Sequence, residues 1–329
     1  MQLPILSSTA PTSPRTVRVS FTDRCDLACV YCRPSKQDGY TDDPVGEGEF
    51  ETMMRGLHAS GVRRVRITGG EPLLFPRVVE RVRVLARLGF EDIALTTNAT
   101  RLSGLAAPLR AAGLHRLTVS LDTLRPERFT AMTRGGKLER VLHGIEVALR
   151  VGFDEPKLNT VVMRGTNDDE LEALVRFAWD RGVTPRFIEV MRVGEGARLP
   201  RDVVVTRDEV RARLGDLLMD GDAVRDLDRG PARYVRARHD PRLRIGFISG
   251  TSDTYCRDCD RLRVSSDGVL RPCLATNDGV SARASAEAGS VEGVRRDVSR
   301  AWAKKPDLDT WKGCTEETAK DVSIRAIGG

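Results

Sequence analysis

Runs of consecutive apolar and β-branched residues punctuate the first two thirds of the chain. They are "VRVSF" (17–21), "RVRIT" (64–68), "DIALTT" (92–97), "RLTVSLD" (116–122), "LNTVVM" (158–163) and "PRFIEVM" (185–191). Near-continuous Val, Ile, Leu and Thr without strict alternation is what parallel strands buried on both faces require. Between these runs the apolar spacing lengthens to three or four. In "RVVERVRVLARLG", Val78, Val82, Leu85 and Leu88 recur at that interval, and Gly89 stands where a helix ends. "DDELEALVRFAWDRG" (168–182) repeats the scheme, with Asn167 or Asp168 as N-cap and Gly182 at the close. "GLAAPLRAAG" and "KLERVLHGIEVALRVG" fill two further gaps. The pattern predicts about six βα units in roughly 180 residues, too few for a closed eight-stranded barrel. A doubly wound open sheet and a partial, crescent-shaped (βα)6 barrel both fit, and periodicity does not choose between them.

The rhythm changes after "MRVGEGARLP" (191–200), which reads as a linker. A helix over about 207–219 follows, then antiparallel-looking strands in "ARYVRAR", "LRIGFIS" and "RLRVSSDGVLRPCL", the last holding an Asp267-Gly268 hairpin signal. The expected organisation is a loose tail (1–14), an α/β core (15–195) and a smaller C-terminal α+β domain (196–329).

Composition narrows the class. Hydrophobic residues at 40% and charged residues at 30% are globular proportions. No stretch approaches the roughly 20 apolar residues of a membrane span. The first residues lack a basic segment followed by a long apolar run, so a secretory leader is not expected and the cytoplasm is the expected location. The net charge of +6 is spread along the chain and forms no basic arm for nucleic acid.

The seven cysteines carry the chemistry. Cys25, Cys29 and Cys32 form CxxxCxxC; Cys256, Cys259 and Cys273 form CxxC, thirteen residues and C; Cys314 is alone. Clustered cysteines in a cytosolic chain point to metal or catalysis rather than disulfides. Structural zinc normally takes four protein ligands. A [4Fe–4S] cluster held by three cysteines leaves one iron open to a small molecule. The first set follows the first predicted strand, at the sheet edge where α/β ligands bind. A zinc loop completed from afar also fits it, and a ribbon completed by Cys314 fits the second set. Arg261 and Arg263 alternate on a strand, share a face, and together suit a phosphate clamp.

CxxxCxxC after a first strand with Tyr31 before the third cysteine, and "TGGEP" (68–72) after the second strand, resemble the signatures of radical S-adenosylmethionine (SAM) enzymes. "RVSFTDRC", "RVRITGGEPLL", "ALTTN", "TVSLDTL", "RFIEVM", "CDRLRVSSDG", the second cysteine set and the closing "IGG" resemble the GTP 3′,8-cyclases of molybdenum cofactor biosynthesis, over nearly the whole chain. The resemblance implies a partial (βα)6 TIM-type barrel with a C-terminal domain carrying a second [4Fe–4S] cluster. It implies that Cys25, Cys29 and Cys32 hold the cluster that cleaves SAM, and that Cys256, Cys259 and Cys273 hold the second. The 5′-deoxyadenosyl radical then takes hydrogen from C3′ of GTP, and C3′ joins C8 to give (8S)-3′,8-cyclo-7,8-dihydroguanosine 5′-triphosphate. Tyr31, Gly69, Gly70, Glu71, Ser120 and Met191 match SAM positions. Arg18, Arg66, Thr96, Lys157, Arg261 and Arg263 match GTP positions. Arg18, Arg261, Arg263, Gly328 and Gly329 match catalytic ones, and Arg325 could point the same way. Glycines at 69 and 70 would let backbone carbonyls approach a ligand ammonium.

The implied partners are GTP, a flavodoxin- or ferredoxin-type reductant and a downstream cyclic pyranopterin monophosphate synthase, with the chain a monomer or homodimer. Neither a membrane nor a nucleic acid is expected as a partner. Three features depart from the family pattern: Ala99 where a glycine is usual after "LTTN", a short and poorly matched 281–320 segment, and Cys314. The alternatives are an auxiliary-cluster radical SAM enzyme acting on a peptide, and a zinc-stabilised nucleic-acid-binding protein. The low aromatic content of 5% argues against the last.

Overall fold

The computed structural model describes residues 11–35, 40–41, 43–225, 230–253, 256 and 259–306. The expectations placed on Cys314, Arg325, Gly328 and Gly329 lie outside the described residues.

Six strands alternate with helices: β1 (Thr16–Ser20), α1 (Glu47–Ala59), β2 (Arg64–Thr68), α2 (Val78–Arg87), β3 (Asp92–Thr97), α3 (Leu102–Ala111), β4 (Arg116–Ser120), α4 (Pro126–Thr133), α5 (Leu138–Val151), β5 (Lys157–Val162), α6 (Leu171–Trp179) and β6 (Thr184–Glu189). They pair in parallel and in chain order. A doubly wound sheet would reverse its strand order part-way. This one never does, so the helices lie on one side, as in a barrel wall, and the ends stay unjoined among the described residues.

The C-terminal segment contributes α7 (Glu195–Arg198), α8 (Arg207–Arg213), β7 (Val224–Arg225), β8 (Arg233–Arg236), β9 (Arg244–Ile248), β10 (Arg261–Val264), β11 (Val269–Arg271), β12 (Val280–Ser281), α9 (Arg283–Glu287) and α10 (Val291–Ala303). These strands extend both edges of the core sheet. β9 pairs parallel to β6 and β10 parallel to β1, so the antiparallel reading holds only for their outer partners β8 and β11. The hairpin at Asp267-Gly268 is present, with Gly268 at φ +84°.

Three local expectations change. Neither Asn167 nor Asp168 caps α6; the N-cap is Glu170. The Asn167 side chain instead accepts from the Met163 amide and donates to the carbonyls of Asp122 and Val161. Residues 191–200 are not a bare linker: Arg192 donates to the Leu199 and Ala197 carbonyls (2.6 and 3.1 Å) and closes α7 into a compact turn. The helix expected over about 207–219 is α8 followed by a 3-10 turn (Gly215–Leu217); Thr206 and Glu209 form its capping box. Helices α1 and α10 escaped the sequence reading. They pack on each other where Gly56 leaves room: a Cβ there would lie 2.3 Å from Val294 Cγ1.

Candidate active site

Parallel register sets the cavity wall. Arg18 on β1 stands opposite Arg66 on β2 and Arg263 on β10. One pleat earlier, Thr16 stands opposite Arg64 and Arg261. Residues two apart share a face, so two rows of cations point to one side. Thr96, Thr118 and Lys157 form a further row across β3, β4 and β5, and Asn159 pairs with Arg186 across β5 and β6. All of these residues line a single cavity of about 330 Å³.

The two cysteine sets open at opposite ends of it. The first loop follows the C-terminal end of β1. Cys259 precedes β10, whose Arg261 is level with Thr16 at the start of β1. Both sets are separated by the length of the strands, roughly 16 Å for five residues at about 3.3 Å each. Cys25, Cys29, Cys32 and Cys259 line the cavity. Cys256 lies beside Cys259, whose amide donates to its carbonyl, and the Cys273 sulfur accepts from the Ala275 amide.

The first loop is held by backbone contacts. Ala28 and Val30 amides donate to the Thr133 and Met132 carbonyls at the end of α4, and Arg134 donates to the Ala28 and Arg33 carbonyls. The glycines of "TGGEP" serve this loop directly. Gly70 and Glu71 amides donate to the Thr22 and Arg24 carbonyls at 2.7 Å each. A Cβ on Gly69 would lie 2.1 Å from the Thr22 oxygen, and one on Gly70 2.3 Å from the Arg24 oxygen. The cysteine loop's own backbone thus makes a close approach at both glycines, which also line the cavity.

Glu71 is fully buried and accepts from the Leu73 amide, the Thr97 hydroxyl and the Asn98 amide. Burial pushes its carboxyl up to about 7. It joins the "TGGEP" loop after β2 to the end of β3 and braces the site. Asn98 continues the brace, donating to Asp26 in the cysteine loop at 2.8 Å. Tyr31 donates to Asp122 at 2.7 Å, and burial raises Asp122 to about 6. Ser120, at the end of β4, and Met191, just beyond β6, face the same space.

Charge divides the cavity. Burial, then the Glu71 carboxylate, pushes the Cys25 thiol up to about 12; burial, then Asp122 and Cys32, lifts Cys29 well above its ordinary range. The donor set fits an iron–sulfur cluster: three thiols on one short loop, none in a disulfide, converge on one cavity, where bound irons would supply the positive charge that the buried thiolates need. Among the described residues no three His, Cys, Asp or Glu side chains gather about a single ion, and a cubane takes each thiolate on a different iron. The opposite end is cationic. Burial works against the Cys259 thiolate, but Arg261 and Lys305 draw the group down to about 6.

Every sequence-predicted site residue among those described except Cys256 and Cys273 lines this cavity. Arg66 is paired with Asp92 at 2.7 Å. Lys157 is buried, and burial and then Arg186 lower it to about 7. Four lining cations were missed: Arg225 on β7 and, on the core strands, Arg64, held by Asp260 at 2.7 Å; Arg116; and Arg186, which donates to Asn159 at 2.9 Å. For the core three, the register is what reveals them. Their signal was their two-residue phase with Arg66, Thr118 and Ile188, visible only once the strands are aligned. Gly246 opposite Arg186 makes room for it, since a Cβ would lie 2.7 Å from Arg186 Cγ.

Comparison with known proteins matches residues 19–178 to the radical SAM superfamily and residues 183–311 to Molybdenum Cofactor Synthesis C. The chain is 42% identical to the GTP 3′,8-cyclase of Heliobacterium modesticaldum over 84% of this chain and 86% of that one. It is 38% identical to that of Hydrogenovibrio crunogenus over 95% and 96%. Streptococcus suis SuiB bound to precursor peptide SuiA matches with a TM-score of 0.65 at 14% identity, over 97% of this chain and 71% of that one, a likeness of fold alone. Relatives this similar along most of both chains establish that the chain belongs to the GTP 3′,8-cyclase family of radical SAM enzymes.

Proposed function

We infer that the chain joins C3′ to C8 of GTP, the opening step of molybdenum cofactor biosynthesis, using SAM and two [4Fe–4S] clusters. One observation carries the reading: a single cavity with three thiols at one end, a fourth at the other, and rows of Arg and Lys along the strands between. A nucleoside triphosphate needs several cations along its length, and a radical reaction needs an enclosure that excludes water.

Cys25, Cys29 and Cys32 would hold the first cluster, which supplies when bound the electron for reductive cleavage of SAM. Cys256, Cys259 and Cys273 would hold the second. Tyr31, Gly69, Gly70, Ser120 and Met191 are proposed to face SAM, with Glu71 holding Thr97 and Asn98 in place beside it. Arg18, Arg261 and Arg263 orient the nucleotide at the cationic end, and Arg66, Thr96 and Lys157 extend that contact along the wall. Arg64, Arg116 and Arg186 join them on the same face. Gly328 and Gly329 are proposed to assist cyclisation. The core (15–195) and the C-terminal domain (196–329) are read as two units of one catalytic wall; the family matches at 19–178 and 183–311 support that division.

A flavodoxin- or ferredoxin-type reductant, a downstream cyclic pyranopterin monophosphate synthase, a cytoplasmic location and a monomer or homodimer complete the proposal. No described helix is long and apolar enough to cross a membrane. The test is anaerobic: the reconstituted chain, given SAM, a reductant and GTP, forms 5′-deoxyadenosine and the cyclised nucleotide together. 5′-Deoxyadenosine formed with a peptide but not with GTP would refute the substrate assignment.

A further inference from the structure

The second cysteine set is braced by a residue just past α10. The Lys305 ammonium donates to the carbonyl oxygens of Arg261 (2.7 Å) and Pro272 (2.9 Å), and sits 4.6 Å from the centre of the Trp302 ring. Arg261 opens β10 two residues after Cys259, and Pro272 immediately precedes Cys273. One cation therefore ties together the two segments that carry these cysteines. Its field, with that of Arg261, is also what favours the Cys259 thiolate. Lys305 does not line the cavity, so it has no place against GTP or SAM. It arrives by way of α10, whose Val294 is seated against Gly56 of α1.

We propose that Lys305 is a positioning residue for the second cluster, fixing the Cys259 and Cys273 segments relative to each other and setting a positive charge beside their thiolates. This rests on the two-cluster reading above. Donors and charges around cluster sulfurs tune both affinity and reduction potential. A fixed cation favours the reduced, more negative form, so its removal lowers the potential.

The full chain, reconstituted without oxygen, tests this through Lys305→Met, Lys305→Arg and Val298→Ala. Val298→Ala loosens α10 while keeping the ammonium. Iron and sulfide per chain, SAM binding, and the midpoint potential of the second cluster by electron paramagnetic resonance are the readouts. Lys305→Met is expected to keep SAM binding while its iron falls from about eight toward about four per chain. Any second cluster it retains titrates at a lower potential, and Lys305→Arg restores both. Wild-type iron and potential in Lys305→Met would overturn the proposal. So would equal loss in Val298→Ala, which would assign the effect to helix docking alone. A wild-type chain that itself loads one cluster would overturn it together with the two-cluster reading, and its own iron content identifies that case.

Discussion

Lys157 offers a prediction in which magnitude and sign both follow from the structure. Its side chain is buried in the cavity wall; burial, then the charges of Arg186 and Arg116, outweigh Glu155 at 3.6 Å and lower it to about 7. Without ligand, about nine in ten Lys157 side chains are then neutral at pH 8. A triphosphate needs the charged form, so GTP binding draws in a proton, and the cost of protonation enters the affinity. That cost is about 1.4 kcal/mol at pH 8, about tenfold in Kd, and grows by the same amount per further pH unit. Calorimetry of GTP binding without SAM, in buffers of different ionisation enthalpy at pH 8, is expected to report uptake of about 0.9 proton. Lys157→Arg stays charged and takes up none. The unfolded chain keeps its Lys157 proton up to about 10.5 and the folded chain releases it near 7, so ligand-free stability rises with pH across that window. An unchanged proton count in Lys157→Arg would refute the assignment of Lys157 to the phosphates.

Other positions give independent tests. Gly70→Ala places a Cβ 2.3 Å from the Arg24 oxygen and displaces the cysteine loop. It is expected to cost about 1–3 kcal/mol and to lower iron content and SAM binding, read by iron assay and calorimetry. Ala99 is fully buried at φ +63°; Ala99→Gly relieves left-handed strain and should leave stability equal or higher by up to ~1 kcal/mol in thermal melts. A loss of more than that would mean that the Ala99 methyl packs usefully. Cys273→Ala is expected to keep SAM binding and abolish GTP cyclisation; full turnover would remove Cys273 from the second cluster.

The six core strands were legible because strands buried on both faces read as unbroken apolar runs. Their winding was not legible in hydrophobicity, which carries no strand order; the family resemblance supplied the partial barrel, and the unreversed strand order agrees with it. The cysteine sets and "TGGEP" were legible as spacing, but the glycines' partner was not: only the fold brings Thr22–Arg24 against them. Arg64, Arg116 and Arg186 do not stand out in the sequence; register sets Arg64 level with Thr16 and Arg186 level with Asn159, and the fold brings all three to the cavity. Helix α10 lay in the segment read as short and poorly matched (281–320), yet the family match runs through it to residue 311, and Val294, Val298 and Ala301 keep helical spacing with Ser290 capping the start. The departure at Ala99 has a physical meaning: it occupies a left-handed turn that a glycine fills without strain.

The central claim is that this cavity cyclises GTP with SAM as the radical source. The direct measurement is mass spectrometry on the anaerobically reconstituted chain incubated with SAM, a reductant and GTP. The account predicts iron and sulfide for two clusters, and 5′-deoxyadenosine appearing in step with a product that contains a C3′–C8 bond. Two bound zinc ions with neither iron nor sulfide would contradict it, as would 5′-deoxyadenosine formed while GTP is recovered unchanged.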